Sequence, residues 1–350
     1  MAVIVADSGG EHYASLSLTA AVTAGWWASH SGGSVSNAAP SGRQAASDGK
    51  FYAINLPNTG DNVVWQFANR SHPIEGVALY FTNPPVNATL LQFLDAGSVQ
   101  TDVRTNALGQ IIITRNGTTI GGPSTQVVPA GWNYIELDVT FATGATGAAQ
   151  CWLNSVSVVN VSSVQTAATA NAFANQLKFV QSGSSTFLKD IWLLDATTGA
   201  NTTHLGDVSV GVKYPNAAGV NQQWTPLSGT QVSNVQDGIT HTGTWPDGDS
   251  TYISDGTTGH ISDFGHETLS LTGTLLAVVH VTYARKDDAG SRAFRQVCLS
   301  GGTTETNGAD LSATNTYLYY IDVLDQDPNT SAAWTVANYN AATFGVKEIT

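Results

Sequence analysis

This chain of 350 residues is poor in charge, in sulfur and in long apolar runs. Charged residues make up only 11%, against roughly 25% in ordinary soluble proteins, so its polar surface must be built from Ser, Thr, Asn and Gln. Basic residues number 13 against 26 acidic ones, a formal charge of −13. A protein that tracks phosphates needs clustered Lys and Arg to displace counterions. Arg285 and Lys286 form the longest basic cluster, and Asp287 and Asp288 follow at once, so nucleic acid is not an expected partner. The two cysteines, Cys151 and Cys298, lie one in each half, without the close pairing of a disulfide-stapled secreted module. Both are expected as buried free thiols. No run of about 18 apolar residues occurs, which argues against membrane insertion. The opening MAVIVADSGGEHY lacks the basic start and apolar core of a secretory signal, so synthesis in a cytoplasm without export by that route is expected.

Apolar residues reach 42%, enough for sizeable cores, and the length favours two domains. The stretch 111–159 reads IIITRNGTTIGG, GWNYIELDVTF and CWLNSVSVV, apolar and polar residues alternating between Asn-Gly, Gly-Gly and Thr-Gly turns. This is the signature of antiparallel strands, with Ile111, Ile113, Tyr134, Ile135, Leu137, Val139 and Phe141 as candidates for a buried face. KFYAINL, NVVWQF, EGVALYFTN, LLQFLDAG and SVQTDVRTN extend the series at the spacing of a sandwich or jelly roll. LSLTAAVTAGWW, residues 16–27, reads as an opening strand. SSVQTAATANAFANQ after Val161 reads as a short helix or a loop. Small polar residues at 197–204 mark a boundary, giving domains 1–203 and 204–350. The predicted fold is all-β, two antiparallel β-sandwich domains. In the second, a long stretch between Asn216 and Gly265 carries Trp224, Trp245, Tyr252 and Phe264. Those rings either pin the loop to its own sandwich or form a ligand platform.

Catalytic signatures are missing. A retaining glucanase on such a sandwich would need paired carboxylates, usually written Glu-x-Asp-x-x-Glu; Glu136 and Asp138 in YIELDV share a face, but no second Glu follows. No Gly-x-Ser-x-Gly elbow occurs. The eight histidines are scattered, although His260 and His266 flank Asp263. Asp247 with Asp249, and Asp325 with Asp327, have the alternate spacing of calcium loops, but equally that of turns in which Asp caps backbone donors. The expectation is therefore no catalytic residues, no metal and no cofactor. Of nine tryptophans, Trp65, Trp132, Trp152 and Trp192 fall within strand patterns and read as core. Trp26, Trp27, Trp224 and Trp245 border loops and are the glycan-contact candidates, because an indole face can stack on the CH groups of a sugar. If 16–27 is a strand, one of Trp26 and Trp27 must point outward.

KFYAI, VALYF, LLQFLDAGSVQTDV, GQIIITRNGTTIGG, GWNYIELDVTF, WLNSVSVV and FLKDIWLLD together resemble the concanavalin A-like, laminin G-type jelly roll. The likeness covers roughly the first 200 residues. LGDVSVGVKYPNAAG, QQWTPLSG, PDGDSTYIS, TYARKDDAGSRAF, VCLSGG and AAWTVANYNAATFGVKEI resemble a sandwich domain appended to the first in tailed-bacteriophage virion proteins. The resemblance implies a non-enzymatic virion structural protein, a decoration or appendage on the head or tail surface. Its implied partners are capsid or tail proteins and copies of itself in a homo-oligomer. The alternative is a glycan-binding adhesin module recognising host surface polysaccharide, and a polysaccharide-degrading enzyme is a minority third.

Overall fold

The structure, a computed structural model, describes residues 3–13, 18–45, 50–181, 183, 185–236, 246–302 and 304–350. The chain is all-β, built of several antiparallel sheets. It divides into two compact units, one holding the described residues up to 211 and the other Val212–Thr350.

Among the described residues the first unit has fifteen strands: β1 (Val3–Asp7), β2 (Ser29–Ser31), β3 (Ser34–Ser36), β4 (Ala53–Leu56), β5 (Asn62–Arg70), β6 (Pro73–Phe81), β7 (Thr89–Asp95), β8 (Ser98–Thr105), β9 (Ile111–Arg115), β10 (Thr118–Gly121), β11 (Gly131–Thr140), β12 (Gly147–Leu153), β13 (Val156–Val164), β14 (Ala174–Val180) and β15 (Thr186–Asp195). The larger sheet runs β13-β12-β11-β6-β15-β4-β3, with β1 also paired to β15; the other runs β10-β9-β8-β7-β14-β5-β2. Sequence and register meet at the turns. Asn116 and Gly117 both hold positive φ, 44° and 86°, which is what a two-residue hairpin needs to match strand twist, and Asn-Gly is the pair that tolerates it.

Period two sets the core. Along β12 every second residue (Gly147, Ala149, Cys151, Leu153) is buried. Val77, Leu79, Ile135, Leu137 and Val139 line the inner face of the larger sheet, and Trp65, Leu91, Phe93, Val103, Ile113, Leu177 and Phe179 that of the other. Phe93 and Phe141 meet edge to face at 6.0 Å. Burying each such side chain contributes about 1.5–3 kcal/mol.

Tyr134 departs from the expected inner face. In strict alternation it falls opposite Ile135, so it belongs to the outer side, where it clusters with Ile74, Ala78, Trp192 and Leu194. Leu205 and Val208 pack over this second apolar layer. Trp192 pairs across to Gly76, and its indole lies so close over that residue that a Cβ there would overlap the ring.

The opening segment also departs from expectation. Leu18–Thr23 is α-helix, not strand. It ends where Gly25 takes φ +77°, with Gly25 N donating to Val22 O at 3.0 Å and Trp26 N to Ala21 O at 3.0 Å, the Schellman arrangement that a left-handed glycine permits. Residues 165–173 form an irregular loop held by the Gln100 side chain. Its Oε1 accepts from Ala168 N and Thr169 N, and its Nε2 donates to Thr169 Oγ1, Asn171 O and Phe173 O. Cys151 and Cys298 are both buried free thiols.

The second unit contains β16 (Pro215–Gln222), β17 (Thr225–Pro226), β18 (Ile253–Ser254), β19 (Ile261–His266), β20 (Val278–Ala284), β21 (Ala293–Ser300), β22 (Thr304–Asn307), β23 (Leu311–Ser312), β24 (Leu318–Leu324) and β25 (Thr343–Glu348). One sheet runs β16-β19-β25-β21-β22, with β23 on β21; β20-β24 forms a separate ribbon and β17-β18 a short pair. The Gln296 amide on β21 donates to His280 O, Thr282 Oγ1 and Tyr320 O, fastening the ribbon to the sheet. Cys298, Trp334, Tyr339, Ala342 and Phe344 form the core beneath. His266 and His280 lie against Phe344, with ring centroids at 5.4 and 5.8 Å. Burial lowers their pKa values to about 4 and about 3, respectively, and each stays neutral when folded.

Two predictions follow from these contacts. Gly76→Ala forces the Trp192 indole off the strand and lowers stability by about 1–3 kcal/mol, read as a shift in denaturant midpoint. Because the unfolded chain takes up protons on histidine near pH 6.5 while folded His266 and His280 do so only near 4 and 3, stability falls as pH drops from 6.5 towards 4. Thermal melts of wild type and a His266→Gln, His280→Gln double variant check this; the variant loses much of that slope.

Candidate functional site

The outer face of the larger sheet in the first unit is where chemistry-bearing side chains gather. Register places Trp152 of β12 opposite Glu136 of β11, and Glu136 opposite Gly76. Glu136 is buried and acts as a clasp: Oε1 accepts from Leu205 N at 2.9 Å and Oε2 from Gly206 N at 3.1 Å. His204 Nδ1 lies 2.6 Å from Oε2 without the alignment of a hydrogen bond, and its ring stacks on Trp152 at 4.4 Å and 9°. Burial, only partly offset by the two backbone donors, raises the Glu136 pKa to about 7, whereas burial lowers that of His204. On the inner face, Glu75 is fully buried with neither carboxyl oxygen hydrogen-bonded. Burial first, and the Glu136 charge second, push its pKa far up, so it sits in the core as a neutral acid. Asp138 pairs with His72 at 2.7 Å.

The middle of the face is closed by an ionic network. Arg43 Nε donates to Asp190 Oδ2 at 2.7 Å, Nη1 to Asp207 Oδ1 at 2.6 Å and Nη2 to Val208 O at 2.7 Å, and the guanidinium stands 5.5 Å from the centre of the Tyr134 ring. Asp190 Oδ1 accepts from Val210 N at 2.8 Å. Residues 205–210 are thereby tied down over the apolar layer.

Towards β3 the face opens. Trp132 pairs with Tyr80, Tyr80 with Phe187, Phe187 with Asn55, and Asn55 with Ser34. These five residues form one row across five adjacent strands. Trp132, Tyr80, Phe187 and Asn55 are half-buried and Ser34 is exposed. Tyr80 meets Trp132 edge to face at 5.4 Å and Phe187 at 6.0 Å. Trp132 Nε1 donates to Pro40 O at 3.2 Å and Ser41 O at 3.1 Å, which fixes the indole. The outer face of the other sheet carries Gln66, Gln92, Asp102, Thr114 and Lys178, and no aromatic ring among its described residues.

The glycan-contact candidates taken from the sequence do not gather here. Trp26 and Trp27 are both buried, at 2% and 1% exposure, which corrects the expectation that one of them points outward. They follow a helix and a tight turn, not a strand, so no alternation separates them. Trp26 Nε1 donates to Asp7 Oδ2 at 2.7 Å, and Trp27 stacks on Trp65 at 4.8 Å. Trp224 is half-buried and donates to His260 O at 3.3 Å; Trp245 lies outside the described residues. Trp132 and Trp152, expected in the core, are half-buried on the outer face.

The acidic loops serve as caps. Asp247 accepts from Thr251 N and Oγ1, Asp249 from Arg285 and Tyr317, and Asp327 from Ser300, Asn329 N, Thr330 and Asn338. Asp325 neighbours this cap. His260 turns to Asp255 at 2.6 Å, His266 Nδ1 donates to Phe264 O at 3.1 Å, and Asp263 accepts from Val220 N and Asn221 N, so these three do not converge.

Neither a protein-family model nor a curated protein matches the chain. Among solved structures it is similar to an endo-β-1,4-glucuronan lyase from the fungus Trichoderma reesei (13% identity, TM-score 0.41, covering 55% of this chain and 95% of that one). It is also similar to the alginate lyase Aly36B (11%, 0.38, 57% and 98%). A third is the carbohydrate esterase vb_24B_21 of the Shiga toxin-encoding bacteriophage phi24B (11%, 0.33, 48% and 89%). These likenesses concern the β-sandwich fold. The expectation of a non-enzymatic protein is corrected by them: lyases and an esterase are among its structural neighbours.

Glu136 supplies the prediction for this region. Its carboxyl titrates near 4.5 unfolded and about 7 folded, so its contribution to stability is complete below 4.5 and is lost as pH rises through 7. In Glu136→Gln that loss disappears. The difference in melting temperature between wild type and variant, measured from pH 4.5 to 8, should therefore change in favour of the variant as pH rises; a constant difference would contradict it.

Proposed function

We propose that the protein binds carbohydrate, and that the binding surface is the Trp132, Tyr80, Phe187 row on the larger sheet of the first unit. The observation that carries this reading is the row itself: three half-buried rings on adjacent strands, continued by Asn55 and Ser34. Ring faces and edges suit the apolar CH patches of a pyranose, while amide and hydroxyl groups alongside suit its hydroxyls. A strand pair with one wet face normally turns small polar residues to water, so adjacent aromatic residues there call for a ligand. The virion setting, with capsid or tail proteins and copies of the chain as partners, rests on the sequence resemblance, and mass spectrometry of purified particles tests it.

Glycan-array screening followed by calorimetry tests the binding reading. Trp132→Ala and Phe187→Ala each weaken binding by about tenfold, the equivalent of about 1.4 kcal/mol, in variants that keep the circular dichroism spectrum and a cooperative melt, at a melting temperature lowered by the lost packing. Trp224→Ala leaves affinity where it was. Equal affinity in all three variants would remove the row from the site.

A further inference from the structure

We infer that the ligand is an uncharged glycan chain lying across the strands, its successive units following the row from Trp132 to Ser34; this rests on the carbohydrate reading above. Direction comes from register. The row crosses β11, β6, β15, β4 and β3, four strand intervals of about 4.8 Å each, or about 19 Å in all. A pyranose advances a polysaccharide by about one such interval, so an extended chain perpendicular to the strands sets one sugar per strand interval, whereas a chain along the strands would meet a single ring before running onto the closed middle of the face.

Charge decides the class. A polyuronate or sulfated glycan needs cations free to meet its anions. On the five strands of the row the one cation is Lys189, which is buried, with Nζ donating to Ser8 O and Tyr52 O at 3.2 Å each. The nearby Arg43 spends its fork on Asp190, Asp207 and Val208 O. Acidic residues outnumber that lysine on the same strands: Asp138, Asp190 and Asp195, with Glu136 titrating at about 7 and Glu75 held neutral in the core. With a formal charge of −13, the long-range field repels a polyanion before contact. The residues that extend the rings are neutral: Ser34 offers an exposed hydroxyl, and Asn55 is a half-buried amide whose Oδ1 is shielded from solvent.

The test is calorimetry of the full chain against neutral gluco-, manno- and xylo-oligosaccharides of increasing length, with alginate oligosaccharides as the anionic comparison, at low and at physiological salt. At least one neutral series is expected to bind, with affinity rising up to about four units, one per strand interval, and indifferent to salt. Alginate is expected to bind about tenfold more weakly or worse. Trp132→Ala, shown folded by an unchanged circular dichroism spectrum and a cooperative melt, flattens the length dependence. Alginate binding as tightly as the neutral series, and weakening with salt, overturns the charge inference and leaves the carbohydrate reading standing. A neutral series whose affinity stops rising at one unit overturns the placement across the strands. Binding of neither class overturns the carbohydrate reading itself, and if Trp132→Ala then also shifts the sedimentation coefficient, the row is a surface for a second copy of this chain.

Discussion

A strand has two faces, and a sandwich core can take only one of them. Everything distinctive about the first unit follows from how the larger sheet deals with the other. Its central strands carry large apolar side chains on both sides: Leu79 and Leu137 inward, Tyr134 and Trp192 outward. The outward set would be costly in water, and residues 205–210 cover it, with Leu205 and Val208 as the apolar lid and Glu136, Asp190 and Arg43 as the fastenings. Gly76 makes room for the Trp192 indole beneath. The cover ends before the Trp132 row, and there the rings stay half in water.

A sizeable part of the chain's sparse acidic charge is used internally. Asp7, Asp102, Asp190, Asp263 and Asp327 are buried, and each accepts from backbone or side-chain donors that hold a bulge, a loop or a strand end. Such groups are worth most when every acceptor is met. Glu75 is the exception, an acid with neither oxygen matched, kept neutral by its surroundings. The second unit holds the imidazoles of His266 and His280 neutral against Phe344, as burial holds that of His12 in the first.

Much of the architecture was legible because its signals are local. Asn116-Gly117, the alternation in GAAQCWL and the short strands between polar turns need only nearest-neighbour geometry, and they specify hairpins, inner faces and an all-β chain. LTAAVTAGWW misled because Leu, Ala and Val fit either period when a run is short; the left-handed Gly25, which ends the helix and buries both indoles, is a matter of backbone contacts. The row was hidden for a different reason. In GWNYIELDV, strict alternation does put Trp132 on the side of Glu136 and Asp138, the side expected to face solvent, but an aromatic residue within a strand pattern reads as core by default.

Sequence alone determined the class of the elements and which residues share a side of each strand, since that depends only on period two and on turn chemistry. Tertiary structure alone decided which strands become neighbours, and so that Trp132, Tyr80 and Phe187, from three stretches spread over more than a hundred residues of the chain, stand side by side. It also decided where the covering segment stops. The physical reason is that strand pairing and the reach of a lid are set by long-range burial, whose free energy belongs to the packed whole and is written in no single stretch.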